Sequence, residues 1–301
     1  MRILIDHGAA RNLGDTGMVE AVVLQLRNLL PHAELYVIDR SPLRMPIWDL
    51  PQVFRQAPYA VRPFWSLSLS KVPYFWRFER SWRRTISGLF LGCLGRLRTA
   101  GSLALPAQKE NGSQTKTLAE FCEPFDALHV VGGGNLTDEF YEELYRRCCL
   151  ILAFAEQRKP VTLTGQQLGP FTSTFSKRGL ARALRRASFV GLRERSDSWK
   201  FCEESHLDPA RFEVMGDDSL ALPPAEESLV CSRLAEHGLR PKEFLAINLR
   251  VGYYAAEHAR HLEKVATLAD RLGHQFGLPV LFVPLALNEL DSDIVTAKKV
   301  V

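Results

Sequence analysis

The sequence lacks the features of a secreted, membrane-spanning or zinc-binding protein. Its 301 residues include six cysteines, none of which forms a CxxC pair or lies beside clustered histidines. The first residues run directly into an apolar segment, without the charged and apolar regions of a signal peptide. The longest uncharged apolar run, Ile86 to Gly95, is too short to cross a bilayer. We therefore expect reduced thiols, no metal site and a cytoplasmic location.

The sequence also lacks the GxGxxG spacing that marks a dinucleotide-binding site. It contains instead Gly132, Gly133 and Gly134, which stand between an apolar segment and a helix start predicted at Thr137 and Asp138. Glycines allow the backbone to take positive φ and to present N–H groups beside the positive end of the following helix. Such a corner suits a phosphate or a carboxylate. The same residues could also make a plain tight connection between a strand and a helix.

Apolar segments with the character of buried strands alternate with helical stripes along the chain. Between the helices, strands are predicted at 2–6, 34–39, 127–131, 160–165, 187–192 and 212–215. This order predicts a doubly wound, Rossmann-like α/β domain over residues 1–220. A linker and helix are predicted at 221–240. The alternation restarts at 241–301 as a second α/β domain, which we expect to be incomplete because an ordinary domain needs roughly a hundred more residues.

Polar residues follow the first predicted strand. The loop after it contains Asn12, Gly14 and Asp15, and doubly wound sheets bind their ligands at the carboxyl ends of strands. Asp15 is suited to act as an acid or a base in a cleft. It could equally cap the helix that begins at Thr16.

Two later strands are also followed by polar residues. Gln166 comes after the strand at 160–165, and its amide can pair with a sugar hydroxyl. Arg193 and Arg195 come after the strand at 187–192, where two guanidinium groups can bind a phosphate or a carboxylate bidentately. Alternatively, the two arginines form a surface ion-pair cluster with neighbouring acidic residues, Glu194 and Asp197.

Residues 40–118 are predicted to be a basic, aromatic insertion in the first domain. Residues 40–100 carry eleven lysines and arginines against two acidic residues, a balance of +9, whereas the whole chain has +4. Such a segment could lie on an anionic membrane surface or a lipid-linked acceptor. Its aromatic residues could instead pack on the domain while its arginines stay hydrated. No recognised nucleic-acid-binding module accompanies it.

Five polar segments occur in the same order in a known protein family. They are Asn12–Asp15, Gly132–Asp138, Gly165–Pro170, Arg193–Ser196 and Asn248–Arg250. On these motifs the sequence resembles the polysaccharide pyruvyl transferase family. The resemblance implies a two-domain, GT-B-like fold. It also implies an enzyme that transfers a pyruvyl group from phosphoenolpyruvate to two sugar hydroxyls as a ketal, in exopolysaccharide or cell-surface glycan synthesis.

The chemistry of this transfer suggests roles for the residues above. Phosphoenolpyruvate is the donor substrate, and no cofactor or metal is expected. For the donor's phosphate and carboxylate we assign Arg193, Arg195, Arg250, Gly132, Gly133 and Gly134. Asp15 is assigned to deprotonate an acceptor hydroxyl. The acceptor, a sugar or a lipid-linked glycan, is expected to be oriented by Asn12, Asn135 and Gln166.

One departure from the family pattern bears on these expectations. The family has an Arg-Leu-His motif in the later part of its second domain, and this sequence ends without one. We therefore expect a fragment of a longer enzyme or an enzyme that has lost its donor site. Two alternatives are a GT-B-type glycosyltransferase that uses a nucleotide sugar and a catalytically inactive glycan-binding or scaffold protein. The expected location is cytoplasmic, with peripheral contact at the inner membrane face through 40–100, and the sequence indicates no oligomeric state.

Overall fold

The computed structural model describes residues 1–8, 13–39, 53–54, 118–250, 262–286 and 292–300. Asn12 and nearly all of the predicted insertion at 40–118 lie outside these ranges. The chain divides into two compact units. The first is formed by Met1–Ala9 with Met18–Ala221, and the second by Ala10–Gly17 with Leu222–Val301. The segment Ala10–Gly17, which the sequence places in the N-terminal domain, therefore groups with the second unit.

The first unit is built on a parallel sheet. Its strands are β1 (Arg2–Gly8), β2 (Glu34–Asp39), β3 (Val53–Phe54), β4 (Ala127–Val130), β5 (Gly133–Leu136), β6 (Val161–Leu168), β7 (Phe189–Leu192) and β8 (Phe212–Val214). Within the described residues the hydrogen-bonded order is β3-β2-β1-β4-β6-β7-β8, and β5 pairs with β6. The strand pairs are parallel. An order that runs outward from β1 in both directions is that of a doubly wound sheet, which confirms the predicted fold class.

Helices connect the strands of this sheet. They are α1 (Leu13–Leu29), α2 (Leu118–Cys122), α3 (Tyr141–Glu156), α4 (Thr174–Leu184) and α5 (Asp197–Glu204). Of the helices in the described ranges, none combines the length and the apolar content needed to cross a bilayer.

Successive residues of β1 point to opposite faces of the sheet. Ile3 and Ile5 join one apolar core with α1 residues such as Val22. Leu4 joins the larger core on the other face, with α3 residues such as Leu150. Burial on both faces is typical of parallel sheets, and each fully buried aliphatic side chain contributes about 1.5–3 kcal/mol. The packing therefore determines the strand register and the place where each strand ends.

The glycine corner differs from the predicted order of strand, turn and helix. After β4 the chain pairs with β6 as strand β5, with Gly133 opposite Gln166. A 3-10 turn then begins at Asp138, capped by the side chain of Thr137, and leads into α3. The helix start predicted at Thr137 and Asp138 is confirmed. The placement of the glycines directly at a helix N-terminus is wrong, because pairing with β6 draws them into the sheet.

The second unit also has an α/β pattern. After the boundary its elements are α6 (Glu227–Glu236), β9 (Leu245–Ile247), α7 (Leu262–Phe276), β10 (Val280–Phe282) and α8 (Asp293–Ala297). β9 and β10 pair in parallel, which confirms the predicted restart of alternating strands and helices. The first turn of α1 joins this unit through Leu13, whose N–H donates to the Leu285 carbonyl oxygen at 2.8 Å.

Candidate functional site

A buried aspartate, Asp218, lies among the carboxyl-terminal parts of β4, β6 and β8. Its Oδ2 accepts from the Gly132 N–H at 2.8 Å and from the Thr164 hydroxyl at 2.9 Å. Only 9% of the residue is exposed. Burial raises the pKa of Asp218, in spite of the two hydrogen bonds, which act to lower it. This edge of the sheet therefore holds a carboxyl group whose neutral form is favoured relative to that of an exposed aspartate.

Two glycines are required by the close approach of Asp218. A Cβ on Gly132 would lie 2.6 Å from the Gly165 carbonyl oxygen and 2.9 Å from Asp218 Oδ2. A Cβ on Gly165 would lie 2.9 Å from Asp218 Oδ1, and the φ of Gly165 is +54°. Gly132, Thr164 and Gly165 thus form what we call the Asp218 cradle. The glycine corner does bind a carboxylate, but the carboxylate is the protein's own, and it takes the Gly132 amide that was predicted for the donor.

A chain of hydrogen bonds continues from Asp218 into the sheet. His129 Nε2 lies 3.1 Å from Thr164 Oγ1, and His129 Nδ1 lies 2.9 Å from Thr162 Oγ1. Burial lowers the pKa of His129 to about 4, so the imidazole is neutral near pH 7. No role was predicted from the sequence for His129 or Asp218. The available signals were the histidine before the three glycines and the Gly-Asp-Asp triplet after the last strand of the sheet.

Gln166, which was predicted to orient the acceptor, is fully buried. Its amide nitrogen lies 3.1, 2.9 and 2.8 Å from the carbonyl oxygens of Val130, Val131 and Thr164, so its two hydrogens are shared among three acceptors. These three acceptors show which end of the amide carries nitrogen. Its Oε1 has no hydrogen-bond partner among the described residues. The side chain therefore ties the end of β4 to β6, next to the glycine corner.

Arg193 lies at the same edge of the sheet. Its backbone N–H donates to the Gln166 carbonyl oxygen at 2.9 Å, and its guanidinium forms an ion pair of 2.9 Å with Asp217. The paired nitrogen also lies 3.1 Å from the Met18 sulfur. The Nε is buried and has no partner in the part of the chain that the structure describes. Because 27% of its side chain is exposed, Arg193 is a cation that a dissolved anion can reach.

Arg195 has a different environment. Its guanidinium carbon lies 5.0 Å from the centroid of the Trp199 ring, a cation–π contact on α5. Glu194 caps the same helix, because its Oε1 accepts a hydrogen bond from the Ser198 N–H at 2.8 Å. Burial opposes ionisation of Glu194, yet the serine hydroxyls and backbone N–H groups lower its pKa to about 2. Arg193 and Arg195 therefore have different partners, and Arg193 pairs with Asp217 instead of the acidic neighbours named from the sequence.

The remaining residues of the glycine corner belong to β5. Gly133 is buried with a φ of +147°, whereas Gly134 and Asn135 are half-buried. The nearest atom to a Cβ on Gly134 would be the Gln167 side-chain oxygen at 3.3 Å. Donor binding by Gly133 and Gly134 and acceptor binding by Asn135 stay predictions.

A second charged group of residues, not predicted from the sequence, lies at the carboxyl end of β1. Asp6 is fully buried and forms ion pairs with Arg146 at 2.8 Å and Arg147 at 3.4 Å, two successive residues of α3. Arg147 also donates to the His7 carbonyl oxygen. Burial, and then the charge of Arg147, lower the pKa of His7 to about 3. These four residues, which we call the β1 cluster, hold the end of the strand from which the loop containing Asn12 continues.

In the second unit, Asp15 lies half-buried in the first turn of α1. Arg250 forms an ion pair of 3.3 Å with Asp293, which is almost fully buried. The other oxygen of Asp293 accepts from the N–H groups of Leu285 and Ala286 at 2.9 and 2.8 Å. Arg250 is therefore anchored on a carboxylate that also organises the turn after β10. The roles predicted for Asp15 and Arg250 stay predictions.

The first unit thus brings carboxyl, imidazole, amide and guanidinium groups to the carboxyl edge of a doubly wound sheet. Proteins with this fold bind their ligands at that edge. A carboxyl group with a raised pKa, at the same edge as an exposed guanidinium, suits an anionic substrate that undergoes proton transfer. Fold and site together define a doubly wound α/β protein with titratable side chains at the edge where such folds bind ligands.

The sequence profile described as polysaccharide pyruvyl transferase matches residues 12–297, nearly the whole chain. The chain belongs to this family. None of the curated proteins searched matches the sequence at a significant level.

Solved structures with a related chain path share little sequence with this protein. UDP-GlcNAc 2-epimerase from Methanocaldococcus jannaschii is 8% identical with a TM-score of 0.49, and the match covers 100% of this chain and 68% of that one. A putative UDP-N-acetylglucosamine 2-epimerase from Listeria monocytogenes is 11% identical with a TM-score of 0.49, covering 100% and 66%. A ugt transferase from Siraitia grosvenorii in complex with UDP is 9% identical with a TM-score of 0.38, covering 97% and 67%. The chain spans about two thirds of the length of these proteins, and the likenesses carry no information on its reaction.

Proposed function

We propose that this protein transfers a pyruvyl group from phosphoenolpyruvate to two hydroxyls of a sugar, forming a ketal and releasing phosphate. The observation that carries the proposal is the family match over residues 12–297. The acceptor in this proposal is a sugar or a lipid-linked glycan, and the product serves exopolysaccharide or cell-surface glycan synthesis.

The reaction requires an acid, a base and a cationic group that holds the donor. Protonation of the donor's methylene carbon uses the C=C electron pair to form a C–H bond and leaves a cationic centre at the neighbouring carbon. One sugar hydroxyl adds to that centre and loses its proton. The second hydroxyl then displaces phosphate, which leaves with the proton of that hydroxyl. Acid–base groups and charge-assisted hydrogen bonds are the usual means of lowering such barriers.

Arg193 is the residue that we favour for the donor's phosphate or carboxylate. Its ion pair with Asp217 holds the guanidinium at the sheet edge while 27% of the side chain is exposed. A bound anion would form a strong, charge-assisted bond with the exposed part of this guanidinium. Arg250 is the second cation of the proposal. Arg195 contributes less to donor binding, because its guanidinium packs on Trp199.

For the acceptor we propose that Asp15 takes a proton from a hydroxyl and that Asn12 and Asn135 bind sugar hydroxyls. Gln166 supports this site indirectly. Because it is fully buried and donates to three carbonyl oxygens, it keeps β4 and β6 in register and does not contact the sugar.

The test is binding and turnover of phosphoenolpyruvate by the intact protein. Calorimetric titration would measure donor affinity, and phosphate release would be followed with a panel of sugars and lipid-linked glycans. Arg193→Ala is expected to weaken donor binding about 10- to 100-fold, the loss typical of a hydrogen bond to a charged group. Arg211→Ala is the matched control, because Arg211 is an exposed arginine at the opposite, amino-terminal end of β8.

The outcomes separate the proposal from its alternatives. Tight binding of a nucleotide sugar in place of phosphoenolpyruvate would point to a glycosyltransferase. Retention on a glycan column without binding of either donor would point to a glycan-binding protein. Donor binding that is insensitive to Arg193→Ala would remove Arg193 from the donor site.

We further propose that the stretch 40–100 contacts an anionic membrane surface at the inner face of the membrane, where a lipid-linked acceptor would lie. The support is its balance of +9 within a chain of net charge +4. Co-sedimentation with vesicles that contain anionic lipid should show binding that weakens with salt. Binding that is absent or insensitive to salt would contradict this contact.

A further inference from the structure

The Asp218 carboxyl group differs from two other carboxylates at its edge of the sheet. Asp217 is bound by Arg193 through one oxygen and by the N–H and hydroxyl of Ser219 through the other. Glu194 is held ionised by the donors of the α5 cap. Asp218 is hydrogen-bonded by uncharged donors alone, and both reach the same oxygen, Oδ2. Its Oδ1 accepts no hydrogen bond within the described ranges, so a proton on Oδ1 breaks no existing bond.

The hydrogen bonds that lead to Asp218 have a defined direction. Thr164 has one hydroxyl hydrogen and donates it to Asp218 Oδ2. The contact between Thr164 and His129 Nε2 therefore requires that Nε2 carries the ring proton. A neutral imidazole has a single N–H, so Nδ1 accepts from the Thr162 hydroxyl. Each residue of this chain therefore donates to the next, from Thr162 to His129, from His129 to Thr164 and from Thr164 to Asp218. The chain ends on the Asp218 carboxyl group and orients it.

The Asp218 cradle also limits movement of this carboxyl group. Glycine backbone approaches it so closely that a Cβ on Gly132 or Gly165 would lie 2.9 Å from one of its oxygens. Two charged groups influence it, Asp217 and Arg193, and these are paired with each other at 2.9 Å. Burial remains the largest influence and raises the pKa of Asp218. A carboxyl group with a raised pKa that is held in one orientation is suited to act as a general acid.

We propose that Asp218 is the acid that protonates the methylene carbon of phosphoenolpyruvate, and that Thr164 and His129 position it. This inference rests on the proposed pyruvyl transfer. The proton passes from Oδ1 to the methylene carbon, where the C=C electron pair forms the new C–H bond and the O–H electron pair stays on the carboxylate. The sugar hydroxyl that adds to the neighbouring carbon loses its proton to its own base, and the Asp218 carboxylate takes up a proton from water before the next turnover, which restores the acid.

The experiment compares Asp218→Asn with Asp208→Asn in the intact protein. Asparagine keeps the shape of Asp218 and its acceptor oxygen for Gly132 and Thr164, so the fold is retained. Loss of a general acid lowers kcat by about 10²- to 10⁴-fold, and we expect the dissociation constant for phosphoenolpyruvate to stay within about threefold. Asp208 is an exposed residue at the amino-terminal side of β8, so Asp208→Asn should leave kcat unchanged. A kcat for Asp218→Asn within threefold of the unsubstituted protein would overturn the inference.

Substitution of Thr164 provides a readout that a purely structural role would not affect. The Thr164 hydroxyl lowers the pKa of Asp218, so Thr164→Val should raise it, and Thr164→Ser should restore it. Because the reaction needs protonated Asp218, kcat should fall as pH rises through this pKa. The pH at which kcat falls should therefore be higher in Thr164→Val than in the unsubstituted protein, and in Thr164→Ser it should return to the value of the unsubstituted protein. A fall of kcat at the same pH in all three proteins would contradict the assignment of Asp218 as the acid.

Infrared spectroscopy of the free protein distinguishes failure of this inference from failure of the proposed function. In the difference spectrum between the unsubstituted protein and Asp218→Asn, a protonated-carboxyl band should persist to higher pH than the bands of exposed aspartates, because burial raises the pKa of Asp218. Absence of the band from the unsubstituted protein would overturn the acid role even if pyruvyl transfer is observed. Presence of the band without phosphoenolpyruvate binding or phosphate release would refute the pyruvyl transfer, and with it the reaction assigned to Asp218.

Discussion

Replacement of Gly132 by alanine should destabilise the first unit strongly. The new Cβ would lie 2.6 Å from the Gly165 carbonyl oxygen and 2.9 Å from Asp218 Oδ2, so either β6 or Asp218 has to move. Overpacking of this kind costs about 1–3 kcal/mol. Loss of the buried Gly132–Asp218 hydrogen bond adds about 1–3 kcal/mol. We therefore expect the free energy of unfolding to fall by about 2–6 kcal/mol, measured by urea denaturation followed by circular dichroism.

The neighbouring glycine provides a matched control. A Cβ on Gly134 would meet the Gln167 side-chain oxygen at 3.3 Å, the end of a side chain that can rotate. Gly134→Ala should therefore cost less than about 1 kcal/mol. Equal stabilities of Gly132→Ala and Gly134→Ala, within about 0.5 kcal/mol, would refute the reasoning, because only Gly132 is placed against the Asp218 carboxylate.

Two further predictions concern buried charged and titratable groups. Arg147→Met should lower the free energy of unfolding by about 1–3 kcal/mol, because it removes the donor to the buried His7 carbonyl oxygen while Asp6 keeps its ion pair with Arg146. The exposed Arg211→Met should change it by less than about 0.5 kcal/mol in the same urea titration, and similar values for the two variants would argue against a structural role of the β1 cluster. His129 has a pKa lowered to about 4 in the folded protein, so between about pH 6.5 and 4 the unfolded state binds a proton that the folded state does not. The free energy of unfolding should therefore fall as pH decreases through this range. His129→Gln should reduce the slope of this free energy against pH by about 1.4 kcal/mol per pH unit. An unchanged slope in urea titrations at pH 7, 6 and 5 would show that His129 is not the group responsible.

The doubly wound sheet could be predicted from the sequence because its strands and helices depend on the pattern of apolar and polar residues close together in the chain. Apolar runs such as 34–39 form strands wherever both faces are covered, and their order along the chain limits the topology. The cap at Thr137 follows equally local rules. By contrast, the strand pairing that draws Gly133 into β5 depends on Gln166 in another part of the chain. Local signals around three glycines do not distinguish a turn from a short strand.

The candidate site was predicted less completely because its key contacts are distant in sequence. Gly132 and Asp218 are 86 residues apart, and Arg147 and His7 are 140 residues apart. Arginine is almost never fully buried without a partner, and the partner of Arg147 cannot be identified from neighbouring residues. Gln166 was predicted to follow a strand that ends at residue 165, whereas β6 continues to Leu168 and Gln166 lies within it. Its complete burial depends on which carbonyl oxygens the folded sheet brings to it.

The bond between Gly132 and Asp218 also sets how short an autonomous first unit can be. A chain that ends before Asp218 would leave the Gly132 N–H and the Thr164 hydroxyl buried without this acceptor. Each loss would lower the free energy of unfolding by about 1–3 kcal/mol. Asp218 opens a 3-10 turn that ends at Ala221, which is also the last residue of the first unit. A separately expressed first unit, or one fused to another protein, should therefore be joined after Ala221. A junction only four residues earlier would remove the acid together with one end of the hydrogen-bond chain that holds β4 and β6 around it.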